Sequence, residues 1–301
     1  MGRSYIKYFA ALLLCGSNGI MASCIMLSSS EIVFLRTLIG AMLLIAVLFV
    51  TQRKLTCHKH PHDLVCLVVS GAALGASWLF LFEAYRLIGV GPASLAYYCG
   101  PIIVTVLSPW LFRERLTLAK ISGLGLVLVG VLLVNSINIP SENNLSTWGL
   151  FCGVMSAVMY AIMVVFSKKT RHSKGLENTA LQLVFAFGAV AVFLATQGNL
   201  IFDISGDDWL PVMILGLVNT GIGCYLYFSS IGILPAQTVS ICGYLEPLSA
   251  VVLSAMLLGE TLIPLQAIGI AFIVGGAVVS ECSTIVKLPS LDTLTKKTAS
   301  H

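Results

Sequence analysis

The chain has 301 residues, of which 57 % are hydrophobic and only 10 % are charged, and its net charge at pH 7 is +4. A soluble domain uses roughly 25 % charged residues, so this composition excludes a water-soluble fold. The mean hydropathy of +0.96 agrees with that exclusion. The sequence therefore predicts an all-α membrane protein, and the small positive charge does not indicate nucleic acid as a partner.

Apolar runs long enough to cross a bilayer recur along the whole chain. A membrane-spanning helix needs about 20 apolar residues. The boundary between the eighth and ninth runs is the least marked, because residues 209–245 carry no charge, but Gly232 and Pro235 divide them. The sequence thus predicts ten transmembrane helices, at residues 5–27, 31–51, 64–88, 91–112, 117–137, 147–167, 177–197, 209–231, 235–258 and 263–280.

The basic residues predict the orientation, because Lys and Arg collect in cytoplasmic loops. With ten spans and a cytoplasmic N-terminus, every Lys and Arg except Arg36 and Arg86 falls on the cytoplasmic side. We expect a multi-pass protein of a bacterial-type inner (plasma) membrane with both termini in the cytoplasm and residues 282–301 as a cytoplasmic tail. The cytoplasmic basic residues are Arg3, Lys7, Arg53, Lys54, Lys59, Arg113, Arg115, Lys120, Lys168, Lys169, Arg171, Lys174, Lys287, Lys296 and Lys297.

The two halves of the chain resemble each other. Residues 88–93 (Ile-Gly-Val-Gly-Pro-Ala) return as residues 231–236 (Ile-Gly-Ile-Leu-Pro-Ala), and Cys99-Gly100 matches Cys242-Gly243 if three residues are inserted before the second proline. From there the spacing is constant. In the order of the chain, Pro101, Glu114, Leu116, Gly123 and Gly130 correspond to Pro247, Glu260, Leu262, Gly269 and Gly276.

Five spans per copy is an odd number, so the two copies are expected to have opposite orientations in the membrane. The basic residues agree, because Arg113, Arg115 and Lys120 surround Glu114 whereas uncharged residues surround Glu260. The sequence therefore predicts two inverted five-helix repeats, at residues 5–139 and 146–281. This architecture is typical of transporters whose substrate site lies near the midplane of the membrane.

Four short motifs carry a resemblance to a known family. They are Phe34-Leu35-Arg36, Leu245-Glu246-Pro247, Glu114-Arg115-Leu116-Thr117 and Glu260-Thr261-Leu262-Ile263. With the repeat, they resemble the EamA family of the drug/metabolite transporter superfamily. The resemblance is to a family that includes exporters of amino acids, other metabolites and drugs. We therefore expect a secondary transporter that works by alternating access and exports a small organic metabolite such as an amino acid or an amphipathic compound. The resemblance also implies a central cavity lined by spans one to four and six to nine.

Two ionisable side chains within the spans are the main candidates for substrate binding or coupling. Glu246 lies near the middle of span nine beside Gly243 and Pro247, where we expect a break in the helix. It could bind a proton or a substrate amine, or it could hold the break in place. Arg36 could bind an anionic group, or its side chain could extend to the membrane interface.

Other candidates have weaker signals. Trp78, Tyr97 and Tyr244 could form aromatic walls or ordinary helix contacts, and Asn18 could bind substrate or join helices. Glu83 could couple transport to protons or pair with Arg86 three residues away. Pro101 is a further expected helix-break residue. Small residues two turns apart let helices approach closely, and the resemblance implies that spans five and ten pack on each other, at Gly123, Gly130, Gly269 and Gly276.

The expected partners are a small-molecule substrate, the lipid bilayer and, as one candidate coupling ion, the proton. We expect no cofactor and no metal, because the Cys and His spacings match no metal site, and a monomer suffices for the predicted repeat. An uncoupled facilitator or channel-like permease is the alternative function. An enzyme is disfavoured because all five His lie in predicted cytoplasmic segments, at His58, His60, His62, His172 and His301.

Overall fold

The computed structural model describes residues 2–52, 60–114, 116–135, 146–170, 172–173, 175–198, 206–258 and 264–285. These residues form helices and no β-strand. The α-helices are α1 (Gly2–Gly16), α2 (Asn18–Ser23), α3 (Ser29–Val50), α4 (Pro61–Ile88), α5 (Val90–Tyr97), α6 (Cys99–Phe112), α7 (Leu118–Asn135), α8 (Thr147–Lys169), α9 (Leu176–Gln197), α10 (Trp209–Met213), α11 (Gly223–Ile231), α12 (Ala236–Gly243), α13 (Leu245–Leu258) and α14 (Pro264–Ile285). A π-helix, Ile214–Ile222, joins α10 to α11.

The described helices are those of a multi-pass membrane protein. Six of them are long and apolar enough to cross a bilayer, counting the runs Pro92–Phe112 and Trp209–Ile231 as one helix each, and two shorter apolar helices follow at Leu118–Val134 and Pro264–Ser280. The all-helical fold expected from the sequence is therefore confirmed. The unmarked boundary between the eighth and ninth predicted spans falls between α11 and α12. The count of ten crossings stays a prediction.

Several helices are interrupted in the middle of a predicted span. Ser17 separates α1 from α2, Tyr98 separates α5 from α6, and Tyr244 separates α12 from α13. The wider π-helical turn interrupts the eighth span in the same way. At such breaks, backbone N–H and C=O groups lose their helical hydrogen bonds and cannot be satisfied by lipid. Interrupted helices are therefore found where they are buried in protein or line a water-filled cavity.

Local sequence explains where several helices begin and end. Glu31 accepts a hydrogen bond from the backbone N–H of Ser28 at 2.7 Å and so caps the start of α3. The hydroxyl of Ser146 accepts one from the backbone of Gly149 at 3.3 Å at the start of α8. Helix α9 ends at Gly198, whose φ of +73° is a conformation that glycine adopts without strain.

Close helix packing forms the core around these elements. Helix α4 packs along α8 and α9, and α7 packs along α14. A Cβ atom at Gly71 would lie 2.5 Å from the carbonyl oxygen of Gln182, so α9 approaches α4 as closely as a glycine permits. The hydroxyls of Ser77 and Ser156 each bond the other's backbone carbonyl and join α4 to α8.

Some sequence predictions lie outside the described residues. They include the second motif glutamate, Glu260, part of the tail at 286–301 and the basic residues Arg53, Lys54, Lys59, Arg115, Arg171, Lys174, Lys287, Lys296 and Lys297. Lys120 lies in the first turn of α7, inside the predicted fifth span, and is buried.

Candidate functional site

The interrupted helices line a partly open cavity within the bundle. Its lining comes from both halves of the chain, with contributions from α1, α3, α4, α8 and α11 and from the breaks at Tyr98 and Gly243. Both sulfur-bearing and aromatic side chains face it. Two ionisable side chains of opposite charge, Arg36 and Glu246, contribute to the same lining.

Arg36 is held by neutral partners. The side chain is only 3 % exposed, and its Nε donates a hydrogen bond to the Thr220 hydroxyl at 3.0 Å. Its guanidinium carbon lies 4.2 Å from the centre of the Trp78 ring, a cation–π contact. The Thr220 hydroxyl in turn donates to the carbonyl of Leu215 in the π-helix at 2.8 Å. Within the described ranges, no carboxylate lies within 4.0 Å of the guanidinium.

Glu246 follows the break at Tyr244 and lies in the first turn of α13. The side chain is half-buried and lines the cavity. Neither Arg36 nor any other cation of the described residues approaches its carboxylate within 4.0 Å. Arg36 and Glu246 therefore share one cavity without forming an ion pair.

Amide groups hold the first break against the π-helix. The Nδ2 of Asn219 donates to the Ser17 hydroxyl at 2.8 Å and to the Oδ1 of Asn18 at 2.9 Å. Both asparagines line the cavity. This bonding links the two halves of the chain beside Arg36, because Asn219 and Thr220 are consecutive residues of the π-helix.

Aromatic side chains supply much of the remaining wall. Trp78 and Tyr97 line the cavity as expected from the sequence, together with Tyr98, Tyr160 and Tyr227. The hydroxyls of Tyr160 and Tyr227 lie 3.0 Å apart in a hydrogen bond. The rings of Tyr97 and Tyr160 meet edge to face with centroids 5.5 Å apart, a favourable aromatic geometry.

Three predicted site residues do not line this cavity. Tyr244 is fully buried in a cluster with side chains of α7 and α14, and its hydroxyl donates to the carbonyl of Tyr98 at 2.7 Å. Glu83 forms an ion pair with Arg86, with oxygen and nitrogen 2.5 Å apart, at a partly exposed position. Pro247 is buried in the first turn of α13, whereas Gly243 and Pro101 face the cavity.

Several residues of the cavity were not predicted from the sequence. Tyr160 could have been found, because a tyrosine in the middle of a span lies far from the membrane interface where this residue is usually enriched. Cys15 and Cys224 had no comparable signal, nor had Thr220, the partner of Arg36, because small residues of this kind are common in membrane helices. In the described part of the chain, no group of three His, Cys, Asp or Glu is arranged to hold a metal ion.

A model of the EamA-like transporter family matches residues 3–136 and again residues 147–281. The chain belongs to this family. The resemblance drawn from the sequence motifs is thereby confirmed. An EamA-like protein named "Uncharacterized transporter YxxF", from Bacillus subtilis (strain 168), is 26 % identical over 272 residues, which cover 90 % of this chain and 87 % of the relative.

Two further matches agree with the family. "Uncharacterized transporter YetK" of the same Bacillus subtilis strain is 25 % identical to this EamA-like chain, with coverage of 92 % and 86 % of the two chains. A protein of known crystal structure superimposes with a TM-score of 0.78 at 21 % identity, covering 92 % of this chain and 96 % of the other. At that identity the match concerns the fold alone. The family and the names of the relatives indicate a transporter and not an enzyme.

Proposed function

We propose that this EamA-like chain is a secondary transporter that exports a small organic metabolite by alternating access around the central cavity. One observation carries the proposal: Arg36 and Glu246 line a single aromatic-walled cavity, and neither forms an ion pair with any residue that the structure describes. A buried charge without a partner is costly in a membrane protein and is usually functional. A ligand that supplies the missing partners would remove that cost.

The cavity favours an amino acid or a similar amphipathic compound as substrate. A guanidinium can hold a carboxylate through two parallel hydrogen bonds, and the Glu246 carboxylate can accept from an ammonium group. The indole of Trp78 and the ring of Tyr97 offer apolar surface to the rest of such a molecule. Asn18 adds a neutral polar group beside Arg36.

The proposal includes ten transmembrane helices in two inverted repeats, at residues 5–139 and 146–281. Joining α1 to α2, α5 to α6, α10 to α11 and α12 to α13 gives ten crossings. The double match of the family model supports two repeats. Glycine packing supports the inversion, because a Cβ at Gly123 would meet the carbonyl of Gly276 at 2.6 Å, and one at Gly130 would meet that of Gly269 at 2.6 Å. Gly123 therefore contacts Gly276, which is the counterpart of Gly130, and Gly130 contacts Gly269, which is the counterpart of Gly123. A two-fold axis between the repeats requires this exchange of partners.

The helix breaks support the same repeat and adjust its alignment. Tyr98 and Tyr244 end α5 and α12 with nearly equal backbone angles, and they stand as far apart in the chain as Pro101 and Pro247. This spacing moves the three-residue insertion upstream, to a point between Ala236 and Tyr244. In the adjusted alignment the position equivalent to Glu246 is Gly100, so the carboxylate belongs to one repeat only.

The proposed setting is the inner (plasma) membrane of a bacterial-type cell, with the N-terminus and the tail at 282–301 in the cytoplasm. The partners are the lipid bilayer, the solute and, through Glu246, a proton as coupling ion. The positions of Lys and Arg support this orientation. The mutual packing of α7 and α14 within one chain is compatible with a monomer.

The test is substrate counterflow with the purified protein in liposomes. Liposomes are loaded with one unlabelled amino acid at high concentration, and uptake of the same amino acid in labelled form is measured. The experiment is repeated for a panel of amino acids with aromatic, aliphatic and charged side chains. We expect saturable accumulation for at least one amphipathic amino acid and none with empty liposomes. Linear, non-saturable flux would support the alternative of a channel-like permease, and no flux of any panel member would contradict the proposed substrate class.

A further inference from the structure

The break between α1 and α2 is held by a short chain of hydrogen bonds whose direction follows from the hydrogens available. The Ser17 hydroxyl donates its single hydrogen to the carbonyl of Leu14 at 2.7 Å, so its oxygen can only accept a further bond. The amide atom of Asn219 that lies 2.8 Å from this oxygen must therefore be the nitrogen, Nδ2. The serine thus fixes the orientation of the Asn219 amide.

The second hydrogen of the same nitrogen fixes the amide of Asn18. The Nδ2 of Asn219 lies 2.9 Å from an amide atom of Asn18, and because a donating nitrogen needs an acceptor, that atom is the oxygen, Oδ1. Both hydrogens of the Asn219 nitrogen are then used. No described residue bonds the two groups that remain, which are the Nδ2 of Asn18, a donor, and the Oδ1 of Asn219, an acceptor.

Both asparagines belong to the lining of the cavity. Asn18 is half-buried, and Asn219 is only 2 % exposed although its side-chain oxygen has no partner in the described part of the chain. Polar groups that line a cavity without protein partners are the groups that orient a bound small molecule. The amide pair therefore offers a ligand one donor and one acceptor, in positions that the α1 break and the π-helix hold.

The helices that flank this break carry the two ionisable side chains of the cavity lining or anchor them. The threonine next to Asn219 in the π-helix accepts the Nε–H of Arg36 at 3.0 Å. Ser249, one turn after Glu246 on α13, packs so closely on Gly16 that a Cβ there would clash with the Ser249 hydroxyl. The same hydroxyl donates to the backbone of α1 at 3.1 Å. The break thus adjoins both the π-helix that anchors the cation and the helix that carries the anion.

We propose that Asn18 and Asn219 form a subsite of fixed polarity for the head group of an α-amino acid. The Asn18 amide nitrogen donates to the solute carboxylate that Arg36 binds, and the Asn219 side-chain oxygen accepts from the ammonium group that Glu246 attracts. This inference rests on the proposed function and adds the residues that distinguish the two ends of the head group. The inverted arrangement is disfavoured, because a carboxylate at Asn219 would face an oxygen.

Thermal unfolding of the purified protein in detergent tests the polarity without any solute. Asn219→Asp places an oxygen against the oxygens of Ser17 and Asn18, and even a protonated carboxyl has one hydrogen where the amide used two. The Tm should fall by about 5 °C. Asn18→Asp is the matched control, because it keeps the accepting oxygen, and its Tm should stay within about 2 °C of wild type. Equal Tm values for the two variants would overturn the assigned polarity.

Asn18→Asp also tests the contact with the solute, because it replaces the free donor by an oxygen and leaves the bond to Asn219 intact. The probes are phenylalanine and leucine, each compared with its carboxamide as an unlabelled competitor of amino-acid counterflow in liposomes. Wild type should prefer each acid to its amide about tenfold. In Asn18→Asp the preference should disappear or reverse, because the new oxygen repels a carboxylate and can accept from an amide nitrogen. Asn178→Asp is the control for the added charge, since Asn178 lies in the first turn of α9 and does not line the cavity.

The outcomes separate a binding role from a structural one. If the amides only join helices, Asn18→Asp keeps the acid preference of wild type, and that result overturns the subsite whatever the Tm values are. A wild type that prefers neither acid to its amide also overturns it. Loss of the preference in Asn18→Asp but not in Asn178→Asp supports the subsite. The function is scored separately, because absence of counterflow for every panel amino acid rejects the function and the subsite together, whereas counterflow with an unchanged preference rejects the subsite alone.

Discussion

At the residue scale, Arg36 is positioned by groups that do not neutralise it. A hydroxyl and an indole ring orient the guanidinium, so its charge remains available to a ligand in the cavity. A lysine would retain the charge but lose both the Nε–H bond to Thr220 and the planar contact with Trp78. The position of the Arg36 side chain therefore depends on the planar shape of the guanidinium as well as on its charge.

Arg36→Lys should raise the KM of the transported solute about tenfold, because a point charge on a flexible chain cannot hold a carboxylate bidentately. Counterflow rates in liposomes over a range of solute concentrations give the KM. Arg86→Lys is the control, since Arg86 pairs with Glu83 at a partly exposed site and should keep the original KM. An unchanged KM in Arg36→Lys would exclude Arg36 from solute binding.

Glu246 is the residue on which proton coupling is expected to depend. Glu246→Gln keeps the shape of the side chain but cannot gain or lose a proton, so solute accumulation driven by a pH gradient should be lost. Exchange at equal pH on both sides should survive, because it needs no net proton movement. Glu83→Gln is the control, since its partner is Arg86 and not the cavity. Full gradient-driven transport by Glu246→Gln would reduce Glu246 to a residue of the helix break.

The individual candidates show why some site residues can be predicted from sequence and others cannot. Arg36 and Glu246 stand out because ionisable groups are rare in apolar helices. The Thr220 partner of Arg36 lies 184 residues away in the sequence, so only the folded chain brings the two together. For Tyr244 the sequence left two roles open, and only the folded chain shows the residue buried in a cluster with side chains of α7 and α14.

At the element scale, the interrupted helices follow from local chemistry that sequence can identify. Gly243 and Pro247 flank the break at Tyr244, because proline cannot donate the backbone hydrogen bond that would continue the helix. The π-helix has no such marker, although its Asn219 and Thr220 contact both Asn18 and Arg36. Wide turns of this kind often mark functional sites.

The glycine contacts between α7 and α14 lead to a sharp prediction on one helix. Gly130→Ala places a Cβ 2.6 Å from the carbonyl oxygen of Gly269, so the helices must separate and the free energy of unfolding should fall by about 1–3 kcal/mol. Gly125→Ala on the same helix meets nothing within 4 Å and should be neutral. Thermal unfolding of the purified variants in detergent compares the two. Equal stability of the two variants would mean that α7 and α14 do not pack through these glycines.

At the scale of the whole molecule, the repeat and the membrane orientation depend on each other. Two copies of five crossings must be inverted, and a chain with an even number of crossings must have both ends on one side. The side itself follows from the basic residues, which favour the cytoplasm. Most of these lie outside the described residues, so the orientation rests on sequence and on the experiment below.

Reporter fusions test this orientation directly. A reporter inserted after Lys174, between α8 and α9, should read cytoplasmic, and one inserted between Gly198 and Asp208 should read external. A reporter at the end of the tail at 282–301 should again read cytoplasmic, because ten crossings return the chain to its starting side. If the first two reporters are on the same side of the membrane, α9 does not cross it. Finding the tail outside would make the number of crossings odd, and two five-helix repeats of opposite orientation could then not be complete.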